Sequence, residues 1–513
     1  MIEREWREAS DMRRSTVTLA VILAIAAVLR FWGLGSGIPH SVGVDEPEIM
    51  DRAVRMMKTG DFNPRFFDYP GLYIYLQLVV ASLQFLAGAT AGTWRSLTDA
   101  APTDFYLWGR AVTATLGTAT VLLVYLAGMR WGTRYALFAA TLMAVLPHHV
   151  RESHYILTDV PVTFFIALAF VLTLRASEGQ RAPAYAWAGA AVGLAAGTSY
   201  AGGLALVLPL LAVWMSPGLK PSRLVAAMAA IGASAAAFLV AAPYTVLDLP
   251  AFLEGYANRA AGSGQPAGSG WSIAMTHLRI GLQWPALLAV SGGVVLAIVR
   301  AFKGSGRVRW TLAVVFPLLY FVFVANQSLI PARSLLPLTP FLCVLAAAAV
   351  VSGVSLLRRY QIPRRARTAL IAGLTIAALL PPAIVSIGVN RTISKVGTLD
   401  LAYRWIRENL PAGSTIVIES RALRLPDDSH RSSNVVQLRE QDYDHYRSHG
   451  VDFIVASSQC YGPYFRNPQQ HPNEYAEYKR LFDQSEELIR FVPTAEHPGP
   501  ELRVFKVGGG RSP

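Results

Sequence analysis

The chain has 513 residues, of which 53% are hydrophobic and only 15% are charged, against roughly 25% in an ordinary soluble domain. Its apolar residues come in long runs separated by short basic stretches, which excludes one large soluble core and indicates membrane spans. The formal net charge of +13 would suit nucleic acid, but the basic residues lie at the ends of apolar runs, where they orient helices. A nucleic-acid partner is therefore excluded.

The apolar runs predict a polytopic α-helical membrane protein with about eleven transmembrane helices, each long enough to cross the hydrocarbon. The first run follows Arg4, Arg7, Arg13 and Arg14 and lacks a small-residue cleavage site, so it is interpreted as an uncleaved span. The spans are expected at 16–35, 105–128, 134–150, 159–175, 183–199, 200–215, 223–243, 281–299, 309–325, 334–356 and 368–388.

The topology depends on whether a further apolar run, 72–90, crosses the membrane. The positive-inside rule distinguishes the two cases. If the N-terminus is cytoplasmic and 72–90 does not cross, every short basic loop lies inside; if it crosses, all of them lie outside. We therefore expect 72–90 to lie at the interface, in a first outer loop, 36–104, with juxtamembrane helices. The residues placed inside are Arg130, Arg134, Arg175, Arg181, Lys220, Arg223, Arg300, Lys303, Arg307, Arg309, Arg358, Arg359, Arg364, Arg365 and Arg367.

The same topology predicts a multi-pass protein of the cytoplasmic (inner) membrane, with a transmembrane domain, 1–388, and an extracytoplasmic domain, 389–513. It also places the junction 150–158 and the loop 244–280 outside. That loop is rich in glycine and serine, which suits either a mobile lid or acceptor loop, or a plain linker.

The C-terminal segment is predicted to be a small α/β domain, because strands and helices alternate along it. It contains no glycine fingerprint for a nucleotide and no phosphate loop, which weighs against a donor carried on a nucleotide. Helices are expected at 398–409, 440–449 and 473–483, and strands at 414–420, 451–458 and 502–507.

The strongest chemical signal is "SVGVDEPEIM" (41–50), at the predicted outer surface just beyond the first span. Asp45 or Glu46 could accept a proton from a hydroxyl nucleophile. The alternative is a structural role, because acidic residues favour the first turn of a helix and the segment that follows has a helical pattern. Spacing alone leaves both open.

A second signal is "ESHYILTDVPVTFF" (152–165), in which Asp159 begins a span. An ionisable residue at the head of a span indicates function, although an N-cap is the alternative. His148, His149 and His154 lie nearby, so a divalent metal is conceivable. Their spacing matches no ligand motif, and no cofactor is predicted with certainty.

Two arginines depart from the basic-inside pattern: Arg110 at the outer start of the second span and Arg333 at the outer start of the tenth. A guanidinium at the outer interface is suited to bind a phosphate with two parallel hydrogen bonds, and the alternative is contact with lipid headgroups. Taken together, these signals suggest a lipid-phosphate sugar whose phosphate is bound by Arg110 and Arg333, while Asp45 or Glu46 deprotonates an acceptor hydroxyl. Single displacement would invert the anomeric centre.

At these residues the chain resembles the membrane-embedded C-type (GT-C) glycosyltransferases, specifically the protein O-mannosyltransferases and their bacterial family 39-type relatives, which include the aminoarabinose transferases that modify lipid A. Arg110 falls where the mannosyltransferases have an arginine opening the second span. Four motifs match in order: "VDEPE" (44–48), "YPGLYIYL" (69–76), "HYILTDVP" (154–161) and "ARSLLPLTP" (332–340).

The resemblance implies a transferase that moves mannose, or a related hexose or pentose, from a polyprenyl-phosphate donor to a hydroxyl of a protein, lipid or glycan. It implies that Asp45 is the base, that Glu46 helps to position a substrate and that Asp159 is a second acidic contact in the cavity. Tyr69, His154 and Tyr155 belong to the matching motifs and are expected as further cavity contacts.

The chain also departs from the family. Gly71 stands where eukaryotic mannosyltransferases usually have a second proline, and their extra outer sugar-binding domain is not expected here. These differences bear on the acceptor and leave the donor class unchanged. The rival interpretations are a multispan transporter of a lipid or glycan, which would place ionisable residues near the bilayer midplane, and a non-catalytic scaffold.

Overall fold

The computed structural model describes residues 2–39, 43, 45–262, 270–303, 306–327, 330–357, 363–419, 423–425 and 429–508. The fold is mainly helical. Up to the C-terminal domain the helices are α1 (Ile2–Phe31), α2 (Glu46–Thr59), α3 (Leu72–Thr90), α4 (Tyr106–Gly128), α5 (Thr133–Ala144), α6 (Pro147–Glu152), α7 (Asp159–Gly179), α8 (Ala184–Thr198), α9 (Val207–Met215), α10 (Arg223–Ala241), α11 (Tyr244–Leu247), α12 (Leu249–Gly262), α13 (Gly270–Lys303), α14 (Arg307–Ala325), α15 (Thr339–Leu357) and α16 (Arg364–Ile393).

Nine helical segments of the described chain are long and apolar enough to cross a membrane. A shorter apolar segment, Tyr200–Met215, lies among them. The polytopic helical fold is therefore confirmed, whereas the count of eleven spans and the interfacial position of 72–90 stay predictions. The nine segments are Arg13–Phe31, Leu72–Thr90, Pro102–Gly128, Asp159–Gly179, Arg223–Ala241, Gly270–Phe302, Arg307–Ala325, Ala332–Ser355 and Arg365–Asn409.

Several boundaries differ from the expected ones. The run 134–150 is divided between α5 and α6, and α5 has only 12 residues, about 18 Å of helix, against a hydrocarbon thickness of about 30 Å. Helix α13 is interrupted at Gln283, whose φ of +62° is left-handed, two residues before Pro285. The expected loop 244–280 is largely helical where it is described, and its glycine-rich centre, 263–269, lies outside the described residues.

The chain separates into two compact units. The first consists of Met1–Trp32, Arg52–Leu83 and Trp108–Asn390 and contains most of the helical bundle. Within it, Gly189, Gly193 and Gly197 form a stripe along α8, and the backbone and small side chains of α10 lie where Cβ atoms on these glycines would be. Small residues at four-residue spacing let two membrane helices approach closely, so this stripe fixes the packing of α8 on α10.

The second unit joins Gly33–Asp51 and Gln84–Leu107 to Arg391–Pro513. The last of these segments forms the α/β domain that the sequence predicts. It contains α17 (Thr398–Asn409), β1 (Thr415–Glu419), β2 (Arg431–Val435), α18 (Tyr443–Ser448), β3 (Phe453–Ser457), α19 (Gly462–Arg466), α20 (Pro472–Gln484), β4 (Glu486–Phe491) and β5 (Leu502–Lys506).

The five strands form one mixed sheet in the order β2-β1-β3-β5-β4. Strands β1, β2 and β3 run parallel, and β5 is antiparallel to both β3 and β4. Helix α17 packs on one face through Ala402 and Ile406, and α20 packs on the other through Tyr478 and Phe482. The expected strands at β1, β3 and β5 are present, whereas the edge strands β2 and β4 and the short helix α19 were not predicted.

A buried carboxylate, Glu419, ends strand β1 on the face that α20 covers. It accepts hydrogen bonds from the backbone N–H groups of Leu438 (2.8 Å) and Ser457 (2.9 Å) and from the Tyr478 hydroxyl. Burial raises the pKa of Glu419 to about 7, although these three hydrogen bonds favour the charged form. Glu419 thus ties together the segment after β2, the end of β3 and helix α20.

We expect the C-terminal domain to lose stability as the pH rises through neutrality. A carboxyl with a folded-state pKa of about 7 and an ordinary value of 4.5 binds its proton more tightly in the folded state. Its stabilising contribution is therefore complete below pH 4.5 and is lost as the pH rises to about 7, by on the order of 3 kcal/mol.

Hydrogen exchange of the β1 and β3 amides in the full chain, corrected for intrinsic rates, measures this dependence. In Glu419→Gln the slope between pH 4.5 and 7 should disappear, whereas Glu486→Gln, an exposed position on the edge strand β4, should keep it. Protection that is independent of pH in the wild type would contradict the prediction.

Candidate active site

The acidic motif belongs to the second unit and lies where α2 begins. Asp45 is a half-buried turn residue directly before the helix, and Glu46 is the fully buried first helical residue. The carboxylate of Glu46 accepts a hydrogen bond from the backbone N–H of Gly43, at 2.6 Å. This hydrogen bond fits the structural role at a helix start, while Asp45 is the more accessible carboxylate of the two, and the site roles of both residues stay predictions.

The same helix carries a contact that the sequence did not predict. Asp51 is bound by the guanidinium of Arg424, with Nη2–Oδ2 at 2.6 Å and Nη1–Oδ1 at 3.3 Å, and by the hydroxyl of Tyr106, at 3.1 Å. All three residues belong to the second unit. Arg424 lies between β1 and β2, far along the chain in a segment with no motif, so only the fold could reveal it.

In the first unit, the structure pairs two of the predicted site residues. Asp159 is the first residue of α7, and Arg333 lies in the 3₁₀ turn Ala332–Leu338 before α15. Arg333 Nε is 3.5 Å from Asp159 Oδ2, and the two side chains are 30% and 20% exposed. The aspartate can thus orient a guanidinium that is still partly exposed. The pairing was not predicted, because Asp159 and Arg333 belong to separate motifs of the sequence.

A second pair joins Arg110 to Tyr155. Arg110 is buried in α4, and its guanidinium carbon lies 5.6 Å from the centre of the Tyr155 ring. The spacing and geometry suit a cation–π interaction. Such a contact limits the motion of the guanidinium, and phosphate binding by Arg110 stays a prediction.

His149 and His154 are held by hydrogen bonds. His154 is buried, with Nδ1 2.8 Å from the carbonyl of Val150 and Nε2 3.0 Å from the carbonyl of Trp32, and burial lowers its pKa. His149 Nδ1 lies 3.1 Å from a guanidinium nitrogen of Arg30. Among the residues that the structure describes, no three histidine, cysteine or acidic side chains cluster as metal ligands would.

Tyr69 lies in an aromatic cavity of the first unit. Its ring centre is 5.7 Å from that of Phe66, and Tyr75 and Tyr244 line the same cavity. A Cβ on Gly71 would lie 2.6 Å from the Tyr75 ring, too close for any side chain. A side chain at this position, where the mannosyltransferases usually have a proline, would therefore require the Tyr75 ring to move.

The sequence interpretation also missed Arg30, near the end of the first span. This arginine is completely buried and donates to the carbonyls of Ala26, Met143 and Ala144, at 3.0 to 3.1 Å. An ionisable residue inside an apolar run is itself a signal, and it could have been found on that ground. Its contacts assign it to the architecture of the bundle.

Comparison with known proteins identifies the architecture. ArnT from Cupriavidus metallidurans, in the crystal structure bound to undecaprenyl phosphate, superposes with a TM-score of 0.55 at 15% identity, over 96% of this chain and 98% of that one. The chain has the GT-C fold. Archaeal oligosaccharyltransferase AglB from Archaeoglobus fulgidus, in complex with an inhibitory peptide and a dolichol-phosphate, shares this GT-C fold with a TM-score of 0.59 at 14% identity, over 98% of this chain and 75% of that one.

Sequence comparison places the GT-C chain beside the mannosyltransferases. Residues 20–255 match the profile of the PMT family, described as dolichyl-phosphate-mannose-protein mannosyltransferase. Dolichyl-phosphate-mannose–protein mannosyltransferase 1 of Saccharomyces cerevisiae is 34% identical over 160 residues, which cover 30% of this chain and 19% of the yeast protein. The chain thus spans about a fifth of the length of that curated relative. The resemblance inferred from the motifs is confirmed.

Proposed function

We propose that this protein is an inverting glycosyltransferase that moves a sugar from a polyprenyl-phosphate donor to a hydroxyl acceptor at the outer face of the cytoplasmic membrane. The observation that carries the proposal is the PMT profile match over 20–255, which includes Asp45, Arg110 and Asp159. Support comes from the similar fold of ArnT, which was crystallised with undecaprenyl phosphate. The sugar is mannose or a related hexose or pentose, and the acceptor is a protein, lipid or glycan.

In the proposed reaction the acceptor oxygen attacks the anomeric carbon while the bond from that carbon to the phosphate oxygen breaks. Asp45 accepts the proton of the acceptor hydroxyl, and the electron pair of the broken bond leaves with the polyprenyl phosphate. A phosphate leaving group needs no acid catalyst, so one base is enough. The configuration inverts because a single displacement occurs.

Arg110 and Arg333 bind the donor phosphate and stabilise the charge that grows on it as the bond breaks. Asp159 acts through Arg333, since its carboxylate contacts the guanidinium and limits its rotation. Glu46 holds the start of α2 through Gly43 and so supports Asp45, its neighbour in the chain. The extracytoplasmic position of the C-terminal domain and the cytoplasmic N-terminus follow from the basic-inside count and belong to the same proposal.

The test is turnover of a panel of radiolabelled polyprenyl-phosphate hexoses and pentoses by the purified protein, with cell-envelope extract as acceptor. We expect transfer from at least one donor and a product of inverted anomeric configuration. A protein that transfers no sugar from any donor would overturn the proposal. Binding of a lipid or glycan near the bilayer midplane would then favour the transporter. Cells that carry Asp45→Asn and are indistinguishable from wild-type cells would favour the scaffold.

Arg333→Met is expected to lower turnover of the productive donor by roughly 10- to 1000-fold, because one charged donor to the leaving phosphate is lost. Arg333→Lys should restore part of the rate, since an ammonium supplies charge without the two-pronged geometry. Initial rates across donor concentrations measure both effects. Arg175→Met, at the exposed far end of α7, is the matched control and should behave as wild type.

A further inference from the structure

A side chain of the C-terminal domain contacts the helix that follows the acidic motif. Arg424, between β1 and β2, contacts Asp51 on α2 although 373 residues separate them in the chain. Both guanidinium Nη atoms donate, one to each carboxylate oxygen, so the contact is a two-pronged pair and not a single bond. Such a pair fixes orientation as well as distance.

A third residue and partial burial stabilise the ion pair between Arg424 and Asp51. Tyr106, which is fully buried, donates its hydroxyl to Asp51 Oδ1, and the side chains of Arg424 and Asp51 are only 25% and 33% exposed. Desolvation acts to lower the pKa of Arg424, but its hydrogen bond to Asp51 and the nearby negative charge outweigh that effect and raise it. A partly desolvated, doubly bonded pair loses less to solvent screening than an exposed one.

Asp51 lies close enough to the start of α2 for its contact with Arg424 to affect the position of that first turn. Asp51 follows Glu46 by five residues, about 7.5 Å along a helix, and Ile49 and Met50 between them are fully buried. A buried stretch and one bound carboxylate together oppose rotation of the helix about its axis and sliding along it. Within this unit, the first turn of α2 and the residue before it are therefore fixed together with Asp51.

We propose that Arg424 is a positioning residue, which holds α2 through Asp51 and thereby places Asp45 for proton transfer. The inference rests on the proposed function, in which Asp45 is the base. The C-terminal domain would then contribute to catalysis, because it supplies this arginine. A displacement of the base of about 1 Å costs up to roughly 100-fold in rate, so the loss of a distant contact should be measurable.

The variants are Arg424→Met, Arg424→Lys, Asp51→Asn and the double change Arg424→Met with Asp51→Asn. We expect Arg424→Met to lower kcat by about 10- to 100-fold while KM for the donor stays near the wild-type value, since Arg110 and Arg333 are untouched. Arg424→Lys should recover part of kcat. The double variant should be no slower than the slower single variant, because both changes remove one interaction.

The matched control is Arg439→Met, which removes another arginine–carboxylate pair of the same domain, Arg439 with Glu477 at 3.0 Å. It should leave kcat unchanged. A domain that merely needs its arginines for folding would lose activity in both variants, and this result would overturn the inference, as would an unchanged kcat in Arg424→Met.

A second measurement separates this inference from the proposed function. Hydrogen exchange across residues 46–59 reports how firmly α2 is held, whether or not any sugar is transferred. Faster exchange there in Arg424→Met, and not in Arg439→Met, supports the positioning contact even if the wild type proves inactive, in which case only the proposed function fails. Unchanged exchange in α2 overturns the contact.

Discussion

Asp45→Asn is expected to abolish sugar transfer, with a loss of roughly 100- to 10,000-fold from the removal of a general base. Asparagine keeps the size and the hydrogen-bonding shape of the side chain but cannot accept the acceptor proton at neutral pH. Asp45 lies in the turn before α2 and is half-buried, so the change should leave the helix in place. Single-turnover transfer from the productive donor measures the chemical step directly.

The control is Asp483→Asn, which removes a negative charge from an exposed position near the end of α20. It should transfer sugar as the wild type does. Exchange protection of 46–59 in Asp45→Asn should match the wild type, which shows that the rate is lost through chemistry and not through structure. An Asp45→Asn protein that keeps its rate while Asp159→Asn loses it would assign the base to Asp159 instead.

The second large effect is expected at Arg30. Helix α5 ends at Ala144 because Pro147, three residues later, has no N–H to donate to the carbonyl of Met143. Arg30 donates to that carbonyl and to the carbonyl of Ala144, and a Cβ on Gly117 would lie 2.5 Å from Ser153 Oγ and 3.2 Å from Arg30 Cδ, so the glycine makes room for both side chains. The guanidinium thus replaces the missing helical donors in the bundle interior.

Arg30→Met should destabilise the bundle by roughly 2–6 kcal/mol, at about 1–3 kcal/mol for each of the two carbonyls at the end of α5, those of Met143 and Ala144, left without a donor. Arg30→Met also removes a buried charge, whose desolvation is unfavourable in the wild type. The observed loss in the free energy of unfolding should therefore lie at the lower end of this range. Thermal unfolding of the detergent-purified protein, together with the yield of folded protein from membranes, measures the change.

Arg14→Met, at an exposed position earlier in α1, is the comparison and should unfold like the wild type. Arg30→Lys should lie between the two, because one ammonium can reach fewer of the three carbonyls. If Arg30→Met were as stable as Arg14→Met, the carbonyls would have to find other donors, and the capping role would be wrong.

The candidate site was partly accessible from the sequence. Asp45, Glu46, Asp159, Arg110 and Arg333 stand out because a charged residue beside an apolar run is costly and therefore conspicuous. Their partners do not stand out in this way. The pairing of Asp159 with Arg333 joins α7 to the turn before α15, and local periodicity carries no information about which turns meet.

In the C-terminal domain, too, some strands could be predicted from the sequence and others could not. Strands β1 and β3 are buried almost throughout, and their apolar runs predict them. Strand β2, "RSSNV", is largely exposed at the sheet edge and carries no hydrophobic alternation, so only its hydrogen bonds to β1 define it as a strand. Strand β4 lies at the opposite edge and was missed for the same reason.

The sequence by itself determined the membrane-spanning architecture, the central strands and helices of the C-terminal domain, and the motifs that resemble GT-C enzymes, because each follows from hydrophobic patterns or short strings of residues. Only the tertiary structure decided that Arg424 binds Asp51, that Arg30 caps α5 and that Glu419 joins three segments. These contacts depend on directional hydrogen bonds between residues that folding alone brings together, and a charged side chain in the sequence does not specify its partner.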